Sequence, residues 1–184
     1  MLLSAIGDSI VKGFGVGEEN SFVYFKKNNL KTLNLGENGA TSQECLRQLA
    51  YIDGDLVLIY VGINDFLLNY SLNKTIENIV KITDCVKKKG KKIILCSPHR
   101  ISGDATEGWC NSSTFISANH KLKNFNLILK GIAFKDNYYF IDYYNLLNKV
   151  ENYDNLFFDG IHPTKETHNL MRKELMRVIG DFCV

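Results

Sequence analysis

Four short stretches of the 184-residue chain carry residue types that could act on a substrate. Near the N-terminus, Gly7-Asp8-Ser9-Ile10 sets a serine just beyond a brief apolar run, with Gly7 allowing close approach. Near the other end, Asp159-Gly160-Ile161-His162 places an aspartate three residues before a histidine, on a turn ahead of a helix, where both side chains can lie side by side. Between them, Gly39 offers an unobstructed backbone N–H within Gly36-Glu37-Asn38-Gly39-Ala40-Thr41-Ser42, and Asn64 offers a neutral amide donor within Gly62-Ile63-Asn64-Asp65. Each stretch has a plainer alternative. Asp8 and Ser9 are good helix N-caps, the Gly39 stretch can be a turn plus a cap, and Asn64 can be a turn residue. Asp159 and His162 can equally be a pair of metal ligands. His99 is the serious rival to His162 as a base, whereas His120 and His168 fall inside helical segments.

Residues so far apart in sequence can cooperate only if the fold gathers them, and the apolar pattern says how. Short apolar runs expected as strands lie at Leu2–Ile6, Thr32–Leu35, Asp55–Val61, Ile93–Cys96 and Tyr138–Ile141. The third is apolar without a break after Asp55, which points to burial on both faces. Segments of helical period stand between them. Ser21–Asn29 is expected as a short helix, and Ser42–Tyr51 as another, with Ser42 and Cys45 failing the capping-box pattern. Ile76, Ile79, Val80, Thr83 and Val86 form the stripe of a helix closed by Gly90. Residues from Ser97 to Thr114 are expected as a long loop, followed by a helix over Phe115–Phe134. A last helix over Thr164–Ile179 carries Met171, Leu175, Val178 and Phe182.

Five strand–helix alternations imply right-handed βαβ units and a parallel sheet covered on both faces. Ligands bind such sheets beyond the carboxyl ends of the strands, which is where Ser9, Gly39, Asn64 and His99 fall. The expected architecture is one domain over residues 1–184, a flavodoxin-like three-layer α/β/α fold with about five parallel strands.

Composition removes other classes. A chain this long buries about 70% of its unfolded surface, so neither metal nor disulfide is needed to hold it. Hydrophobic residues at 45% and charged residues at 23% give an ordinary globular profile rather than disorder. A formal charge of +2 gives no support for nucleic-acid binding. Cys45, Cys85, Cys96, Cys110 and Cys183 show no metal or redox spacing, and the first three sit in apolar periodic segments as small hydrophobes, so a reducing, cytoplasmic setting is expected. The first residues lack a basic leader and no apolar run reaches 18, so neither a signal peptide nor a membrane span is expected. Gly13-Phe14-Gly15-Val16-Gly17 fails the dinucleotide register, because Glu18 stands where the third glycine belongs. The lysine run 87–92 suits a solvated helix C-terminus.

Taken jointly, Gly7-Asp8-Ser9, Gly39-x-Thr41-Ser42, Gly62-x-Asn64-Asp65 and Asp159-x-x-His162 occur in this order, each after its expected element. This resembles the SGNH hydrolases, the GDSL-type lipase/esterase superfamily, over residues 7–162, with Ile10 where the name-giving motif has leucine. The resemblance implies Ser9 as nucleophile, His162 as base and Asp159 as its orienting partner. It implies an oxyanion hole from the N–H of Ser9, the N–H of Gly39 and the amide of Asn64. It also implies a cofactor- and metal-independent serine esterase or acylhydrolase. Substrates in such a family range over short acyl esters, acetylated sugars, thioesters and lysophospholipids; no long apolar lid is visible, which favours short acyl groups. Phe14, Phe66 and Trp109 are the expected pocket walls. The alternatives are a non-catalytic module binding a sugar or acyl ligand on the same fold, and a flavin-binding flavodoxin-like protein.

Overall fold

The computed structural model describes residues 1–27 and 30–180. Its centre is a six-stranded sheet, with β1 (Leu2–Gly7), β2 (Lys26–Lys27), β3 (Leu30–Asn34), β4 (Leu56–Tyr60), β5 (Lys92–Ser97) and β6 (Tyr139–Asp142) in the order β2-β3-β1-β4-β5-β6. Five strands are parallel, and β2 adds a two-residue antiparallel edge. Without that edge the order is 2-1-3-4-5, the flavodoxin-like arrangement, whose strand order reverses between β1 and β4. The unbroken apolar run of β4 is buried at every position, as a central strand covered on both faces requires.

Helices α2 (Ser42–Gln48), α4 (Leu72–Lys88) and α5 (Ser112–Asp136) pack on one another in one layer. On the other side α7 (Lys165–Gly180) and α6 (Tyr143–Asn148) gather around the buried Tyr143, whose hydroxyl donates to the Met171 carbonyl at 3.0 Å. Cys45 and Cys96 are wholly interior and pack as apolar groups; Cys183 lies outside the described residues. Met171, Leu175 and Val178 face the core as expected, while Phe182 also falls outside the described part.

Several elements differ from the sequence expectation. Residues 21–27 form no helix: a 3-10 turn at Glu18–Asn20 leads through buried Phe22, Val23 and Phe25 into β2. Aromatic and β-branched side chains of low helix propensity crowd here, and Ser21 instead donates to the Val11 carbonyl at 2.7 Å. The expected end at Asn29 lies outside the described residues. Val80 turns to solvent, and Ile82 takes its place on the buried stripe of α4. Helix α2 is capped by Thr41 rather than Ser42. The Thr41 hydroxyl accepts from Gln43 N–H and the Glu44 carboxylate accepts from Thr41 N–H, so a capping box exists one residue upstream of the place expected. The stretch 97–114 is not a plain loop, since it contains a 3-10 turn at Gly103–Glu107 and the start of α5. Two one-turn helices, α1 (Ser9–Lys12) and α3 (Ile63–Leu67), follow β1 and β4 directly.

Candidate active site

Strand β1 delivers Ser9 to the carboxyl edge of the sheet. A Cβ on Gly7 would stand 2.2 Å from the Tyr60 carbonyl oxygen and 2.5 Å from a Val11 methyl, so only glycine lets α1 fold back this close to β4. Gln48 fastens the same peptide from α2: Gly7 N–H donates to its Oε1, and its Nε2–H donates to the Gly7 carbonyl, both at 2.9 Å. Asp8 realises the capping alternative, accepting from Ile10 N–H at 2.9 Å, and Ser9 follows as the first helical residue. Burial pushes the Asp8 carboxyl up to about 7, against the Ile10 bond that lowers it. Its Oδ2 has no hydrogen-bond partner among the described residues.

At the other end, an Asx-type turn shapes Asp159 and His162 into one unit. Asp159 Oδ1 accepts from the backbone N–H groups of Ile161 at 3.0 Å and His162 at 2.7 Å. Its Oδ2 lies 2.7 Å from His162 Nδ1. A carboxylate only accepts, so Nδ1 carries the proton and Nε2 is left as the acceptor. That Nε2 lies 2.9 Å from Ser9 Oγ, across 153 residues of sequence. Partial burial pushes the Asp159 carboxyl up, but the N–H and ring of His162 and the N–H of Ile161 outweigh it and hold the group below its ordinary range. Hydroxyl, imidazole and carboxylate thus stand in series, and both imidazole nitrogens are engaged.

Ser9 and His162 open into a cavity of about 260 Å³ lined also by Phe14, Asn38, Gly39, Asn64, Trp109 and Ile161. Gly39 is required by conformation rather than by crowding: its φ is +77°, while a Cβ there would meet nothing within 4 Å. Asn64 donates one Nδ2 hydrogen to the Ala40 carbonyl at 2.9 Å, which fixes the amide and leaves the second hydrogen for the cavity. Buried Asp65 ties these two segments together, accepting from Ser42 N–H at 2.8 Å and Ser42 Oγ–H at 2.5 Å, while Thr75 adds a bond at 3.2 Å. Asn38, Gln48 and the partners of Asp65 escaped the sequence analysis. For Gln48 the sequence carries no distinguishing signal: it lies on the buried side of α2 with Cys45 and Leu49, and its partner Gly7 is 41 residues away.

Phe14 and Trp109 line the cavity, with ring centroids 4.6 and 5.3 Å from the His162 imidazole. Phe158 stacks on the same imidazole at 5.7 Å but does not line the cavity. The expectation for Phe66 fails. It is 1% exposed and packs edge-on against Phe125 in the core, because α3 turns that side of the segment inward.

His99 also sits beyond a strand end, yet it is wholly buried away from Ser9. Its Nδ1 lies 2.7 Å from the Tyr60 hydroxyl and its Nε2 2.9 Å from the Ile161 carbonyl. Burial pushes its pKa down to about 3, so it is a neutral imidazole at ordinary pH. His168 is buried as well, accepting from Phe22 N–H at 3.2 Å, and His120 is exposed on α5. Neither reaches the cavity.

A serine hydroxyl hydrogen-bonded to an imidazole, itself held by a carboxylate, on the carboxyl edge of a flavodoxin-like sheet is the equipment of a serine hydrolase. The chain belongs to the GDSL-like lipase/acylhydrolase family, whose model matches residues 5–170, and it is accordingly a serine hydrolase acting on ester bonds. Among solved structures it is similar to a lipolytic protein of the G-D-S-L family from Veillonella parvula (TM-score 0.83, 20% identity, 98% of each chain covered). It is also similar to a GDSL-like lipase from Bacteroides thetaiotaomicron (TM-score 0.80, 24% identity, 98% of this chain and 88% of that one). A third is an acetylxylan esterase from Geobacillus stearothermophilus (TM-score 0.74, 21% identity, 97% and 94%). No curated protein matches the chain by sequence. No helix among the described residues is long and apolar enough to cross a membrane.

Proposed function

We propose that the chain is one catalytic domain that hydrolyses short acyl esters through an acyl-enzyme on Ser9. The observation that carries this is the series Ser9 Oγ, His162 Nε2 at 2.9 Å, and His162 Nδ1 to Asp159 Oδ2 at 2.7 Å. As Oγ bonds to the ester carbonyl carbon, its proton passes to Nε2. The carbonyl oxygen takes up negative charge facing Ser9 N–H, Gly39 N–H and the free Nδ2 hydrogen of Asn64. The C–O bond to the alcohol then breaks and Nε2 returns the proton to the leaving oxygen. Water repeats the sequence, freeing the carboxylic acid and regenerating Ser9. Asp159 keeps the imidazole in the required tautomer and stabilises its cation.

The cavity beside the reacting atoms holds about 260 Å³, at the small end for a ligand pocket, which favours short acyl chains. The likeness to an acetylxylan esterase adds acetylated saccharides to the substrates worth testing. The buried thiols of Cys45 and Cys96 support a reducing, cytoplasmic setting. A fluorophosphonate should attach to Ser9 in the wild type and not in Ser9→Ala, read by mass spectrometry. The same wild-type protein should turn over p-nitrophenyl acetate faster than longer-chain esters. A folded wild type that neither labels nor hydrolyses any ester of the series would sink the proposal.

A further inference from the structure

A fully buried titratable group near the site, His99, has no part in the steps above. It nevertheless touches the segment that carries the base. Two successive carbonyls precede His162, and both are held by the chain that leaves β5. The Gly160 carbonyl accepts from Ser102 N–H at 2.8 Å, and the Ile161 carbonyl lies 2.9 Å from His99 Nε2. A carbonyl only accepts, so Nε2 carries the proton and Nδ1 must accept, here from the Tyr60 hydroxyl at 2.7 Å. Tyr60 ends β4 and is itself fully buried, its ring against Phe22 and Tyr143. The imidazole of His99 stacks on Phe157 at 4.6 Å, five residues before His162. An unbroken hydrogen-bonded line therefore runs from the end of the central strand β4 to the peptide beside His162.

Ile161 itself lines the cavity, so a shift of its carbonyl would move both the cavity wall and the imidazole. The Ser9–His162 bond joins two segments whose only covalent connection is the long intervening chain, so its length depends on how the turn is seated. We propose that His99 is a positioning residue: its Nε2–H seats the Ile161 carbonyl, and so sets the reach of His162 to Ser9, with the Tyr60 hydroxyl fixing the tautomer that makes this possible. This rests on His162 being the base. The side chain need not titrate for this task, and burial keeps it neutral.

Misplacement of reacting groups by about 1 Å costs on the order of 10²-fold in rate. His99→Leu, which leaves the Ile161 carbonyl unpaired, should lower kcat for p-nitrophenyl acetate by about 10- to 100-fold with KM within about twofold. His99→Gln, whose amide can still donate to that carbonyl, should recover most of the loss. A merely structural role would lower the melting temperature and leave kcat at assay temperature untouched, so folded His99→Leu with wild-type kcat overturns the proposal. If His99→Leu does not fold, Tyr60→Phe decides, because it keeps the ring packing. Lowered kcat at unchanged KM supports the proposal, and wild-type kcat overturns it. A proton NMR readout separates this test from the esterase assignment. The His162 Nδ1–H signal should move in His99→Leu and return in His99→Gln whether or not an ester is cleaved, and an unmoved signal in folded His99→Leu refutes the positioning role.

Discussion

Two histidines lie just beyond the ends of the sheet, and their surroundings make them opposites. His162 has an anionic partner on Nδ1, a hydroxyl on Nε2 and an edge on the cavity. His99 has a neutral hydroxyl on one nitrogen, a carbonyl on the other and no exposure. Both nitrogens are satisfied in each ring, so hydrogen bonding alone does not make a base. The difference lies in a carboxylate that welcomes the imidazolium and in a nitrogen left to accept from the Ser9 hydroxyl. In His99 the polarity is reversed: the carbonyl forces the proton onto Nε2, and complete burial penalises any second proton.

The hardest way to break this contrast is to give His162 a neutral partner as well. Asp159→Asn keeps the size of the side chain but removes the charge that holds the tautomer and stabilises the cation. The expected loss in kcat is on the order of 10⁴-fold, measured with p-nitrophenyl acetate. The rate of fluorophosphonate attachment to Ser9 should fall in parallel. A loss below tenfold would mean that the carboxylate is dispensable and that the contrast with His99 is misdrawn.

A smaller loss is expected where the developing charge is received. Asn64→Ala leaves both histidines untouched and removes one donor facing the cavity. The expected cost is about 10²–10³ in kcat, or about 3–4 kcal/mol, with little change in KM. Because Asn64 also donates to the Ala40 carbonyl, a thermal melt should accompany the assay to separate lost charge stabilisation from a loosened loop. Wild-type kcat in the folded variant would remove Asn64 from the proposed oxyanion hole.

Legibility in the sequence follows the range of the interaction involved. The unbroken apolar run from Leu56 to Val61 and the stripe of Met171, Leu175 and Val178 are local, and both elements stand where expected. The candidate site residues stand out in the sequence because Ser9, Gly39 and Asn64 each come after a strand and because their joint order with Asp159 and His162 is specific. One-turn helices such as α1 and α3 are too short to show a period, and the second hides the inward turn that buries Phe66. Thr41 was overlooked as a cap because a neighbouring serine competes for the same position. Gln48 meets Gly7 across 41 residues, Asp65 meets Ser42 across 23, and His99 meets Ile161 across 62. No periodicity records such pairings, since each depends on where the sheet brings the strand ends together. The position of His99 was therefore readable, whereas its partners, and hence its role, were not.

The gentlest probe of the contrast is the pH dependence of stability. Burial holds His99 at about 3 in the folded protein, against about 6.5 for an exposed histidine. Between those values the unfolded chain binds the proton and the folded chain does not, so stability falls as pH drops from about 6.5 and the loss saturates near pH 3. At pH 5 the folded ring is still neutral, and this one group costs up to about 2 kcal/mol relative to pH 7. His168, pushed down to about 4 chiefly by burial, acts in the same direction. Asp8 acts the other way: it holds a proton in the fold up to about pH 7, so its contribution fades as pH rises from about 4 to 7. Replacing His99 by glutamine should remove its share alone, making the urea midpoint less sensitive to a change from pH 7 to pH 5. If the glutamine variant kept the full wild-type acid sensitivity, His99 would have to accept a proton in the fold, and the distinction between the two histidines would lose its basis.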